Sequence, residues 1–256
     1  MRKFNILSLA LCFLIVSMFM MGFAFGDAVI SWGLSHKGGE QIPTVPTGSA
    51  ELLDKYDGLY VDKREKAVAD KKVYLTFDLG YEAGFTNAVL DILKEHDVKG
   101  VFFLCGHYLN EGELVNRMLA EGHIIGNHSD KHKDPTKLSE DAIRKEIVDF
   151  DTAFHEKFPG QNKLTFYRPP AGKFNERTLA VAKQEGLRTM MWSMAIVDWY
   201  KKPINPQPSA DKITKRIHPG AIILLHIANS GMPEMLKVLI PQLMEKGYLM
   251  GDPAEL

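Results

Sequence analysis

An α/β fold built on a parallel sheet, open or closed into a barrel, is what this sequence predicts, and three observations carry that expectation. Short runs rich in Val, Ile, Phe and Leu alternate, from about residue 71 onward, with longer segments whose apolar residues recur at three and four spacing. Several of the longer segments open on Ser, Asn or Asp and close on Gly, the start and stop signals of helices. Strand followed by helix, repeated, is the pattern of βα units, whose crossovers return each strand parallel to the last.

The elements follow in order. Arg2 and Lys3 precede "LSLALCFLIVSMFMMGFAF", an apolar run of about twenty residues that suits a signal peptide or a membrane anchor with its positive end inside. Residues 1–26 are therefore read as an export segment, and the remainder as extracytoplasmic. Residues 27–70 include "KGGEQIPTVPTGS", whose Gly, Pro and Ser break any period, and read as a linker or a wrapped N-terminal arm. The compact domain is expected over 71–256. Its strands are expected at 73–77, 100–104, 123–126, 166–168, 188–192 and 221–225, with helices over 85–96, 109–122, 139–158, 175–186, 210–217 and 233–247 between and after them.

Composition narrows the function. A formal net charge of -1 and the lack of a basic stripe with interleaved aromatics exclude nucleic acid as a partner. Of the two cysteines, Cys12 lies in the export segment, which leaves Cys105 alone in the folded part and no intramolecular disulfide. No protein partner is indicated.

In βα folds the reacting groups collect at the carboxyl ends of strands. "TFDLGYE" places Asp78 at the first strand end, where it suits either a cap for the following helix or a general base. "NHSDKH" follows the third strand; His128 and His132, four apart, meet one metal ion if residues 129–133 form a helical turn, and the strand end behind them favours ligands over a structural pair. A divalent ion there is a Lewis acid that lowers the pKa of bound water. Arg168 leaves the fourth strand in "RPPAGKF"; it can hold the Asp78 carboxylate or form a surface ion pair. Pro169 and Pro170 stiffen the backbone after it, so the Ala171 N–H can be aimed at a developing oxyanion. His226 ends "AIILLH" and is either a satisfied core histidine or a proton donor to a leaving amine, with Asp198 of "VDWY" to orient it. Trp199 reads as core or as a wall for a sugar or its acetyl methyl.

Taken in this order, "TFDLGYE", "NHSDKH", "RPP", "VDW" and "LLH" resemble the polysaccharide deacetylase family of carbohydrate esterases, whose catalytic unit is the NodB homology domain. The resemblance spans about residues 71–251, and "TFDLGYE" and "RPPAGKF", together with "HPGAIILLHI", are most similar to the muramic-acid de-N-acetylase branch, associated with δ-lactam formation in spore cortex peptidoglycan. It implies a distorted (β/α) barrel, Asp78 as general base, His128 and His132 as ligands of a divalent metal (zinc, with cobalt or manganese as alternatives), Arg168 supporting Asp78, Asp198 supporting His226, and His226 as general acid. It implies glycan strands of peptidoglycan as the partner. Most members of the family carry a second acid directly after the first, as a further metal ligand; here that place is taken by Leu79, which cannot bind a metal. A deacetylase of N-acetylglucosamine in peptidoglycan or chitin-like oligomers, and a non-catalytic cell-wall-binding relative, are the alternative expectations.

Overall fold

The computed structural model describes residues 28–200 and 202–256, so the expected export segment lies outside the described residues. Among those described, no helix is long and apolar enough to cross a membrane.

The strands are β1 (Ile30–Ser31), β2 (Lys72–Leu79), β3 (Gly100–Leu104), β4 (Ile124–Asn127), β5 (Phe166–Tyr167), β6 (Lys173–Phe174), β7 (Arg188–Thr189), β8 (Met194–Ala195), β9 (Ala221–His226) and β10 (Leu249–Met250). The helices are α1 (Ser49–Lys55), α2 (Glu65–Ala69), α3 (Thr86–Glu95), α4 (Gly112–Ala120), α5 (Glu140–Lys157), α6 (Glu176–Gln184), α7 (Pro206–Thr214) and α8 (Met232–Glu245). Eight strands form one parallel sheet in the order β7-β5-β4-β3-β2-β9-β8, with β10 pairing with the first two residues of β2. The two ends of this path are not joined among the described residues, so the sheet is a distorted, open (β/α) barrel, curled rather than closed.

The central strands β2, β3 and β9 are buried along nearly their whole length, as strands covered on both faces must be. Their alternation decides where chemistry can sit. Val73, Leu75, Phe77 and Leu79 of β2 join Phe102 and Leu104 of β3 and Ile223 and Leu225 of β9 in the large core shared with the helices. Tyr74, Val101, Phe103 and Ile222 point the other way, into a smaller cluster inside the curl. The period of two puts Asp78 with Tyr74 on that inner face, and His226 with Ile222. Leu79 falls on the helix side, 3% exposed.

Residues 28–70 are packed against this sheet. Trp32, Leu53, Tyr60 and Val61 are buried against Phe174, Leu179 and Met191, and β1 pairs antiparallel with β6. The Trp32 indole donates to the Trp192 carbonyl at 2.9 Å. Asp62 is buried too, accepting from the Tyr74 hydroxyl and from Arg64, each at 2.6 Å. Its main chain runs so close to Gly220 (φ 76) that a Cβ there would stand 2.0 Å from the Asp62 carbonyl oxygen, and only glycine fits.

Two expected strands are corrected. The fourth ends at Tyr167, one residue short of Arg168. The segment expected as one strand over 188–192 stops at Thr189, because Leu59 of the arm takes over its hydrogen bonds: Leu59 N donates to Thr189 O and Met191 N to Leu59 O. The chain then rejoins the sheet as β8 beside β9.

Candidate active site

Asp78 lies within β2, in register with Phe103 of β3 and His226 of β9, so the cap reading does not hold. Its carboxylate is pinned on both sides. Arg168 Nη1 donates to Oδ1 at 2.8 Å, and His128 Nε2 stands 3.6 Å from Oδ2. Burial pushes the Asp78 carboxyl up, yet the Arg168 guanidinium, with His226, holds it net below the usual carboxylate range.

The surface ion pair considered for Arg168 is excluded, since the residue is fully buried. Its guanidinium lies 4.0 Å over the Phe103 ring, Nε donates to the Met190 carbonyl at 2.9 Å, and Nη1 also donates to Thr76 Oγ1 at 2.9 Å. A fork fixed at this many points leaves Asp78 a single orientation. The ensuing Pro170–Gly172 turn holds Ala171 at φ 54, in the left-handed region, and exposed.

His128 and His132 do converge, with ring centroids 4.9 Å apart, but not on a helical turn. Residues 128–134 form an irregular loop in which Ser129 (φ 68) and His132 (φ 53) are left-handed. Side chains replace the helix bonds: Asn127 Oδ1 accepts from Ser129 N at 2.9 Å, and Ser129 Oγ from His132 N at 2.9 Å. Glu146 of α5 accepts from Lys131 N at 2.8 Å through its carboxylate. His128 Nδ1 donates to the Arg168 carbonyl at 2.8 Å, which leaves the Nε2 lone pair facing Asp78. Burial pushes the His128 ring down to about 4, and lowers His132 also, so both are neutral donors.

His226 is clamped by Asp198. Its backbone N–H donates to one carboxylate oxygen and its Nδ1 to the other, each at 2.8 Å, with Asp198 fully buried. Burial pushes the ring down, but the Asp198 carboxylate more than offsets this and raises His226 above the ordinary histidine value. Trp199 is half exposed and so is not core; its ring lies 5.6 Å from that of His226. Asp78, Tyr81, Trp199 and His226 line a cavity of about 110 Å³, room for several water-sized groups. Ala171 does not line it.

The residues present suit a metal ion. One donor atom from each of His128, His132 and Cys105 lies within 4.8 Å of the others. Two neutral imidazoles, the tautomer of His128 fixed by the Arg168 carbonyl, are the usual donors for a divalent ion of the zinc type.

Comparison with known proteins gives the family. The polysaccharide deacetylase family pattern matches residues 65–190. The chain is 39% identical to the peptidoglycan-N-acetylmuramic acid deacetylase PdaA of Bacillus subtilis over 86% of its own length and 82% of that protein. The chain belongs to the polysaccharide deacetylase family. The solved structure of PdaA, a family 4 carbohydrate esterase, superimposes with a TM-score of 0.82 at 37% identity, covering 90% of this chain and 97% of that one. A peptidoglycan-N-acetylglucosamine deacetylase of Bacillus cereus is 34% identical over 76% of this chain and 70% of its own. A family 4 pseudoenzyme from Bacillus anthracis is also similar, with a TM-score of 0.70 at 30% identity over 78% of this chain and 68% of that one.

Within this deacetylase fold, two contributors lie outside the motifs. Glu146 was hidden in an ordinary amphipathic helix, although a glutamate in step with Ile143, Ile147, Phe150 and Phe154 on the buried face is a visible signal. Cys105 follows β3 with no sequence cue beyond its own identity.

Proposed function

We propose that this polysaccharide deacetylase hydrolyses the N-acetyl group of N-acetylmuramic acid in peptidoglycan, leaving acetate and the free amine from which a muramic δ-lactam forms. The reading rests on one observation above all: the Asp78 carboxylate held between Arg168 and His128, with the Asp198-clamped His226 on the adjacent strand. The likeness to the peptidoglycan-N-acetylmuramic acid deacetylase PdaA supports the choice of sugar.

Asp78, ionised and oriented by Arg168, takes the proton from the attacking water as its oxygen bonds to the acetyl carbon. His226, protonated and held by Asp198, gives a proton to nitrogen as the C–N bond breaks. The Ala171 N–H is the proposed donor to the developing oxyanion, and Trp199 the wall beside the acetyl group. A divalent ion held by His128 and His132, zinc or alternatively cobalt or manganese, supplies Lewis-acid polarisation of the carbonyl and of water. Peptidoglycan lies outside the cytoplasm, so the proposal includes export through residues 1–26.

Incubation with intact glycan strands, followed by muramidase digestion and mass spectrometry, tests the reading: loss of acetyl from muramic acid supports it, and loss from glucosamine alone replaces the sugar. A non-catalytic reading is favoured by Leu79 at the place of the family's second acid and by the likeness to a pseudoenzyme. It predicts glycan binding with no acetate release under zinc, cobalt or manganese.

A further inference from the structure

Two imidazoles are a thin ligand set. Zinc sites that do chemistry take three protein ligands and keep the fourth position open for water or substrate. Around His128 and His132 the strand neighbours offer little to complete it. Leu79 lies on the helix side with an apolar side chain, and Asp78, whose Oδ1 is bonded to Arg168 at 2.8 Å and whose Oδ2 lies 3.6 Å from His128 Nε2, is the base of the proposed reaction and must stay free to take a proton.

The end of β3 holds a better donor. Cys105 is fully buried, and its Sγ lies 3.6 Å from the His128 carbonyl oxygen, within the same group of donor atoms as the two rings. Its position is fixed by the main chain on both sides. Cys105 N donates to the Leu79 carbonyl at 3.1 Å, which sets the thiol beside the end of β2. His128 N donates to Leu104 O at 3.0 Å, and Gly106 N to Asp130 O at 3.0 Å, so the cysteine and the ligand loop are joined backbone to backbone. Glycine at position 106 suits that contact, because a Cβ would stand 2.9 Å from the Asp130 carbonyl oxygen as well as 2.1 Å from Asp130 Oδ1. Among the described residues no disulfide partner competes for the sulfur, which is a free thiol.

We propose that Cys105 is the third protein ligand of the metal centre, its thiolate sulfur completing an N,N,S set with His128 and His132. The inference rests on the reading of those two histidines as an ion site. On binding, the S–H proton passes to solvent as the sulfur–metal bond forms, one proton per ion. A soft sulfur in the set favours zinc and cobalt over manganese, which prefers oxygen donors.

The test is spectroscopic and uses the full-length protein in a Cys12→Ser background, so that only one thiol can report. Cobalt(II) added to this protein is expected to produce a near-ultraviolet sulfur-to-cobalt charge-transfer absorption. Cys105→Ser is expected to lose it, with cobalt affinity falling roughly 10- to 100-fold. Zinc-edge X-ray absorption on the protein with Cys105 intact needs no site variant and should show a sulfur at about 2.3 Å. A shell of nitrogen and oxygen only, in a protein that binds zinc and releases acetate, overturns the cysteine ligand and leaves the hydrolase reading standing. If neither zinc nor cobalt binds, the cysteine ligand falls, and acetate release with manganese decides the hydrolase reading separately.

Discussion

The backbone N–H and the ring Nδ1 of His226 donate to opposite oxygens of the Asp198 carboxylate, each at 2.8 Å. One acid thereby fixes the tautomer and the rotamer of the ring, and leaves Nε2 as the nitrogen that faces the cavity. Asp198→Asn removes the negative charge that raises His226, so the ring loses its proton at lower pH. The alkaline limb of the pH–rate profile is expected to move down in pH and kcat to fall about 10²- to 10⁴-fold. A profile that keeps its alkaline limb, measured by acetate release, contradicts the acid role.

Arg168 governs the other limb. It is the first of the groups that hold the Asp78 carboxyl below the usual range against its burial. Arg168→Met leaves a buried, unpaired carboxylate, at a cost of about 3–5 kcal/mol. The Asp78 carboxyl then rises, and the acidic limb moves to higher pH. Urea denaturation and the pH profile of the same variant check both halves.

Asn127 shapes the ligand loop without touching the proposed ion. Its carbonyl oxygen accepts from Ser129 N and its amide donates to Ile147 O, each at 2.9 Å. Asn127→Ala frees the turn that brings the two imidazoles together, so zinc affinity is expected to drop roughly 10- to 100-fold. Competition with a chromogenic chelator measures it, and unchanged affinity would mean the loop is held by Glu146 and Ser129 alone.

Trp32, far ahead of the sheet in sequence, is 8% exposed and hydrogen-bonded to Trp192. Trp32→Ala is expected to cost about 3–5 kcal/mol in denaturant unfolding, the range for an aromatic in a packed core. A loss within about 0.5 kcal/mol, the scale of surface substitutions, would show that residues 28–70 are an appendage.

How far the sequence spoke depends on the kind of interaction. The βα order and the central strands were legible because each strand buries both faces and each helix one stripe. Val73–Phe77 and Ala221–Leu225 announce themselves by composition. The strand-end rule then brought Asp78, His128, Arg168 and His226 to one mouth. The two-residue strands β1, β6, β8 and β10 were not legible, since so short a stretch carries no period and owes its form to its neighbour. Nor was the ligand loop. Spacing of four suggested a helical turn, whereas Asn127, Ser129 and Glu146 offer the backbone hydrogen bonds that outcompete one. The burial of Arg168 against Phe103 was equally invisible, because an arginine shows no sign in sequence of being fully enclosed.

Acetate released from peptidoglycan by Asp78→Asn, beside the unaltered protein and with zinc supplied to both, is the most direct measurement. Asparagine keeps an oxygen for Arg168, so circular dichroism should report the same fold, while acetate release should fall at least about 10²-fold because no base remains to take the proton from water. Release at the unaltered rate would contradict the account at its centre.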